Sequence, residues 1–130
     1  MPRIPTKDST GKPNGWLQPL WNIHDGPPIA QVYALGIEPK GVKGPHLHLK
    51  RRGLFTCLAG EVLLVIRPKP RQYCSFRLDV WPEPVKVPAG VPAAIYNVGF
   101  EEALVLNMPE PAWRPDDQDE WPVEGWDFVI

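Results

Sequence analysis

At 130 residues the chain is long enough for one domain with a single core and too short for two of ordinary size. Fourteen Lys and Arg nearly balance fifteen Asp and Glu, so the formal charge of −1 offers no bulk basic field for nucleic acid or an anionic membrane surface. Eighteen prolines argue against long helices. The longest apolar run, Val62 to Ile66, is far too short to cross a bilayer, and the opening MPRIPTKDSTGKPNG lacks the apolar segment of a secretory signal, so a cytoplasmic protein is expected.

In chain order, residues 1–15, rich in Lys, Pro, Gly and Ser, read as a flexible N-terminal arm. Residues 16–108 hold short apolar or alternating runs separated by Gly and Pro. GWLQPLW (15–21) leads through the turn HDGPP to IAQVYALGI (29–37), and EPKGVKGP punctuates the chain before HLHL. GLFTCLAGEVLLVI (53–66) pivots at Gly60, then come QYCSFRLDV (72–80), PVKVP (84–88), AAIYNV (93–98) and EALVLNM (102–108). About eight short strands with no helical period of ten or more residues predict an all-β sandwich or barrel. Cys57 and Cys74 both fall in strand-like runs and read as reduced, packed thiols rather than a disulfide. The tail 109–130 is acidic and carries three tryptophans. Tryptophan is costly to leave in water, so the tail is expected to pack on the barrel or on a partner subunit.

Two of the three histidines, His46 and His48, stand two apart, so on a regular strand they project to one face while Leu47 and Leu49 take the other. Three readings stay open for the pair: proton transfer, metal ligation, or burial with no catalytic duty. Imidazole titrates near neutrality, which suits acid or base work. Lys50, Arg51 and Arg52 read as a solvated turn that blunts a strand edge, or as a cradle for a diphosphate with Lys43. Cys57 reads as core filler and His24 as an exposed turn residue. Tyr33, Tyr73 and Tyr96 are candidate acids by chemistry, and Tyr96 points away from the lumen if Ile95 and Asn97 face it.

The chain resembles the cupin superfamily, and within it the nucleotide-sugar branch of 4-keto-sugar 3,5-epimerases and 3,4-ketoisomerases. His46, His48 and Gly60 fall in register with the first cupin motif, and Pro88, Gly90 and Asn97 with the second. Gly53 stands at the glutamate position and Ala93 at the third histidine, so two of the four metal ligands are replaced by residues with no donor atom. KGPH (43–46) resembles the Arg-Gly-x-His motif of the branch, GLFTCLAGEV (53–62) its next strand pair, and MPEPAWRPDDQDE (108–120) its closing stretch.

The resemblance implies a single-domain cupin barrel, a double-stranded β-helix or jelly roll, that forms homodimers. It implies a metal-independent isomerase or epimerase of a nucleotide-linked 4-keto-sugar, with no cofactor beyond a weak divalent metal at His46 and His48. Carried over residue by residue, His46 is the general base and His48 its partner. Lys43 replaces the arginine that contacts phosphate or sugar, and Arg52, Asn97 and Trp113 join it in substrate binding. The epimerases place a lysine where Gly53 stands, and Trp113 lies near the position of their acid tyrosine. Isomerisation needs fewer groups than double epimerisation, because one histidine serves both carbons through an enediol. The alternative from another class is a non-catalytic, or atypical metal-binding, cupin that holds a small carbohydrate or metabolite in the barrel.

Overall fold

The computed structural model describes residues 3–22, 24 and 28–130. Among them are ten strands: β1 (Ile4–Lys7), β2 (Pro13–Leu17), β3 (Tyr33–Ile37), β4 (Val42–His46), β5 (Gly53–Ala59), β6 (Val62–Lys69), β7 (Gln72–Arg77), β8 (Val85–Val87), β9 (Ala93–Asn97) and β10 (Ala103–Asn107). No helix occurs among the described residues, and so none long and apolar enough to cross a membrane. The turn expected at 24–28 falls mostly on residues 25–27, outside the described residues, with His24 itself exposed.

Eight strands form two four-stranded antiparallel sheets, β3-β10-β5-β8 and β4-β9-β6-β7. Strands consecutive in sequence lie in opposite sheets, except β6 and β7, which form a hairpin. This is the jelly-roll order of a cupin barrel. The core between the sheets is built from alternating positions: Val62 and Leu64 of β6, Ile95 of β9, Ala103 and Val105 of β10, Cys57 of β5, and Val85 and Val87 of β8. Both cysteines are free, as expected; Cys57 is buried, but Cys74 is exposed on β7, which corrects its expected packing.

The runs VLLVI and AAIY are continuous rather than alternating because β6 and β9 are covered on both faces. On the outer face Val65, Ala94 and Tyr96 pack with Tyr73, Trp126 and Phe128. Trp126 Nε1 donates to the Tyr96 hydroxyl (2.9 Å), the Tyr73 hydroxyl donates to Asp127 (2.5 Å), and the Trp126 ring meets Tyr73 edge-on at 5.1 Å. The tail thus turns its last aromatic residues onto its own barrel. Tyr73 and Tyr96 are both spent on this contact.

Two strand assignments depart from the sequence expectations. Most of the stretch 1–15, expected as a loose arm, is instead taken up by the β1–β2 hairpin, which reaches on to Leu17 of the expected barrel, with Asp8 Oδ1 accepting the Thr10 and Lys12 amides (2.8 and 3.0 Å) to close the turn. Strand β4 is VKGPH, not HLHL: it ends at His46, and Leu47 makes only an isolated bridge to Trp121.

Gly60 turns β5 into β6 with φ of +87°, and a Cβ there would lie 2.8 Å from the Ala103 Cα. Left-handed strain and overpacking against backbone then act together, so Gly60→Ala is expected to cost about 2–4 kcal/mol in a denaturant titration.

Candidate active site

A cavity of about 230 Å³ opens between the sheets at the end of the barrel where β4 stops and β5 begins. His46 and His48 both line it, their ring centroids 6.0 Å apart and the planes inclined by 28°. Leaving the strand after His46 does not separate them, because the backbone of 47–51 is held from outside by the tail. Trp121 N donates to Leu47 O (2.9 Å), and the buried Asp119 carboxylate accepts the successive amides of Leu49, Lys50 and Arg51 (3.0, 2.9 and 2.9 Å). Three converging amides make a small anion nest.

This docking brings acids onto the basic side chains of the site. Glu120 contacts Nδ1 of His46, which is 46% exposed at the cavity mouth. A carboxylate at Nδ1 calls for a proton there, which leaves Nε2 as the unprotonated nitrogen. Arg51, expected in a solvated turn, is instead only 11% exposed. Its Nη2 lies 2.8 Å from His48 Nε2 and its Nη1 3.3 Å from Asp117 Oδ2. Burial, then the Arg51 charge and then His46, hold the His48 imidazole below its ordinary range. Desolvation works to raise the Asp119 carboxyl, but the three backbone amides and the nearby His48 outweigh it and the group lies below its ordinary range.

On the opposite wall stand Tyr33 of β3 and Asn107 of β10. Asn107 is buried, its Oδ1 accepts the Leu54 amide (3.0 Å), and its Nδ2 donates to the Tyr33 hydroxyl (2.7 Å), which leaves the phenolic proton free to be donated. Lys43, Arg52 and Trp113 also line the cavity. Arg52 is paired with Glu110 at 2.8 Å, and Trp113 is tied to Gln31 through its backbone (2.7 and 3.2 Å). Lys43 has no ion-pair partner among the described residues.

Asn97 does not join them, which corrects its expected place in substrate binding. It is 2% exposed, with Nδ2 donating to Ile37 O and Glu101 O (2.9 and 2.8 Å) and Oδ1 accepting from Gly99 N (2.9 Å). Its side-chain polar atoms are committed to the end of β3 and to the β9–β10 turn. Asn107, Asp117, Asp119 and Glu120 were not singled out from the sequence, and Arg51 was read only as part of a solvated turn or a diphosphate cradle, not as a partner of His48. The one signal for the acids was the DDQDE cluster in the closing stretch.

The residues do not fit the ion of metal-dependent cupins. Gly53 and Ala93 line the same cavity as the histidines, so the ligand positions are present without donors. The space at Gly53 is filled: a Cβ there would lie 2.5 Å from Phe55 Cε2 and 3.1 Å from Asn107 Oδ1. His48 Nε2 faces the Arg51 guanidinium rather than open space, and among the described residues no three His, Cys, Asp or Glu side chains form a metal-binding group.

Asp119→Ala removes the anchor of the 49–51 loop and is expected to lower the melting temperature at pH 7. With the folded carboxyl below the ordinary aspartate value of 3.8, the unfolded chain takes up the proton first on acidification. The anchor's contribution is therefore complete above that value and lost as pH falls through the lowered folded one. Melting curves of the two proteins are expected to converge below about pH 3.8.

No protein-family model and no curated protein matches the chain. Its fold is similar to that of a dTDP-sugar isomerase from Desulfovibrio desulfuricans G20, with TM-score 0.75 and 18% identity over 95% of this chain and 80% of that one. It is similar also to the sugar 3,4-ketoisomerase QdtA from Thermoanaerobacterium thermosaccharolyticum in complex with TDP, with TM-score 0.69 and 20% identity over 92% and 82%. The capsular polysaccharide assembling protein CapF from Staphylococcus aureus matches at TM-score 0.64 and 20% identity over 70% of this chain, which spans only 25% of CapF. At these identities the likeness is one of architecture: the chain has the cupin barrel that sugar-nucleotide ketoisomerases also use.

Proposed function

We propose that the protein is a metal-independent isomerase of a nucleotide-linked 4-keto-sugar, moving the carbonyl between C3 and C4. The observation that carries this reading is the Glu120 carboxylate on Nδ1 of His46, at a cavity that also holds the Tyr33 hydroxyl. The carboxylate orients the ring and keeps a proton on Nδ1, so that Nε2 is the nitrogen presented to the substrate. The cavity, at about 230 Å³, is smaller than the roughly 300–1,000 Å³ that encloses a whole drug-sized ligand. It takes a sugar ring and leaves the nucleotide at the mouth. There Lys43 meets the diphosphate, Arg52 adds a second cation, and Trp113 offers an aromatic face.

In this reading His46 Nε2 removes the proton from C3, and the C–H electron pair becomes the C3–C4 double bond. The C4 oxygen takes the displaced carbonyl pair and a proton from Tyr33, giving the enediol. The imidazolium then delivers its proton to C4 while the C3 hydroxyl returns one to Tyr33, so the 3-keto-sugar leaves and both groups are restored. QdtA, similar in fold, was captured with TDP, and a histidine-to-asparagine variant of it with TDP-4-keto-6-deoxyglucose.

Incubation in deuterium oxide with a panel of TDP-4-keto-sugars is expected to place deuterium at C3 or C4 and to yield the 3-keto isomer. His46→Asn is expected to lose about 10²- to 10⁴-fold in rate while still binding TDP. Saturable binding of the whole panel without exchange would instead make the protein a carbohydrate-binding cupin. We further infer a homodimer, because Ile4, Trp16 and Leu17 of the β1–β2 hairpin are all exposed. Light scattering is expected to give the mass of two chains, and Trp16→Asp with Leu17→Asp the mass of one.

A further inference from the structure

The two histidines sit at opposite electrostatic poles of one cavity. His46 faces a carboxylate and His48 faces a guanidinium. A guanidinium has only donors and keeps its charge at any physiological pH. At 2.8 Å from Arg51 Nη2, His48 Nε2 must therefore be an acceptor, and the single proton of the neutral ring sits on Nδ1. Protonating Nε2 would set two cationic donors head to head in a half-buried pocket.

Arg51 is in turn fixed rather than free to swing away. Its side chain is nearly nine-tenths buried, Asp117 takes its other amino group, and its own amide is one of the three bound by Asp119. The groups that face His48 are Arg51 and His46, which oppose its charging, and Glu120 and Asp119, which favour it; the first two prevail, together with burial. Nδ1 has no acceptor among the described residues.

We infer that Arg51, anchored by Asp117, is a positioning residue that holds His48 as the neutral Nδ1–H tautomer, so that His48 serves a bound keto-sugar as a hydrogen-bond donor and His46 alone moves the proton. The mechanistic half of this inference rests on the isomerase reading; the tautomer does not. With no free lone pair, His48 cannot share the base's work. Its N–H is suited to the oxygen that gains charge as the enediol forms, a role in which loss of one donor lowers kcat about 10²- to 10³-fold. The site is thus a one-base site, in contrast to the two-histidine shuttle that the resemblance implies.

Nitrogen-15 spectra of histidine-labelled protein decide the tautomer without any substrate. The wild-type protein at pH 7 is expected to show His48 neutral and protonated at Nδ1, titrating below an ordinary imidazole. Arg51→Met combined with Asp117→Asn removes the guanidinium without stranding its carboxylate. It is expected to move the His48 midpoint upward and mix the tautomers, with Arg51→Lys intermediate. A wild-type His48 protonated at Nε2, or charged at pH 7, overturns the inference, as does a midpoint unmoved in the double variant.

Kinetics on an active keto-sugar test the second half. The double variant is expected to lose kcat with little change in KM, and its acidic limb to move to higher pH. His48→Gln, which retains an N–H donor, is expected to keep more activity than His48→Ala. Equal losses in Gln and Ala, with full retention of the Nδ1–H tautomer, would overturn the donor role alone. Absence of turnover on every keto-sugar would strike the isomerase reading and leave the spectroscopic result standing.

Discussion

Three successive backbone N–H groups, from Leu49, Lys50 and Arg51, converge on one carboxylate, and the site depends on that junction. The loop after β4 has no strand partner of its own, so its conformation is set by what it binds. Asp119, close on 70 residues away in sequence, supplies the missing acceptors and sits beside both Asp117 and Glu120. One interaction therefore sets the direction of Arg51, brings Asp117 to it, and places Glu120 against His46. Side-chain chemistry at the cavity is downstream of a backbone hydrogen-bonding requirement.

The barrel supplies what that junction cannot. Strands β6 and β9 lie at the centre of their sheet and are covered on both sides, by the opposing sheet within and by Trp126 and Phe128 outside. The tail is held twice, at 117–121 by polar contacts over the cavity mouth and at 126–128 by aromatic packing on the sheet. Apolar burial supplies the second anchorage and hydrogen bonding the first, so the wall of the site is tethered within its acidic stretch and again beyond it.

Strand content was legible in the sequence because Gly and Pro break it at short intervals and Gly60 marks a tight turn. Local pattern was enough to find β5, β6, β9 and β10. It missed the β1–β2 hairpin, where Asp8 and Gly11 are turn residues flanked by strands too polar to show alternation. It also displaced β4, because a Gly-Pro pair looks like punctuation even when the strand continues through it by way of a register shift. The histidine pair and Lys43 were visible by type and spacing. Arg51 was not: three consecutive cations look solvated unless the carboxylate that buries one of them is known, and Asp117 is 66 residues on. Asn97 shows the converse. It matched a motif position, yet its side chain is used up in tying the β9–β10 turn to the end of β3.

Gly53 and Phe55 are coupled by volume. The ring of Phe55 lies in the space that a side chain at 53 needs, so neither a carboxylate nor a lysine fits there unless the aromatic yields as well.

The order of these parts along the polypeptide has a consequence for how the protein is made. All ten strands among the described residues precede the acidic stretch, so the wall that Asp119 fastens over the cavity is the last of its parts to leave the ribosome, after the strands of the barrel that it closes.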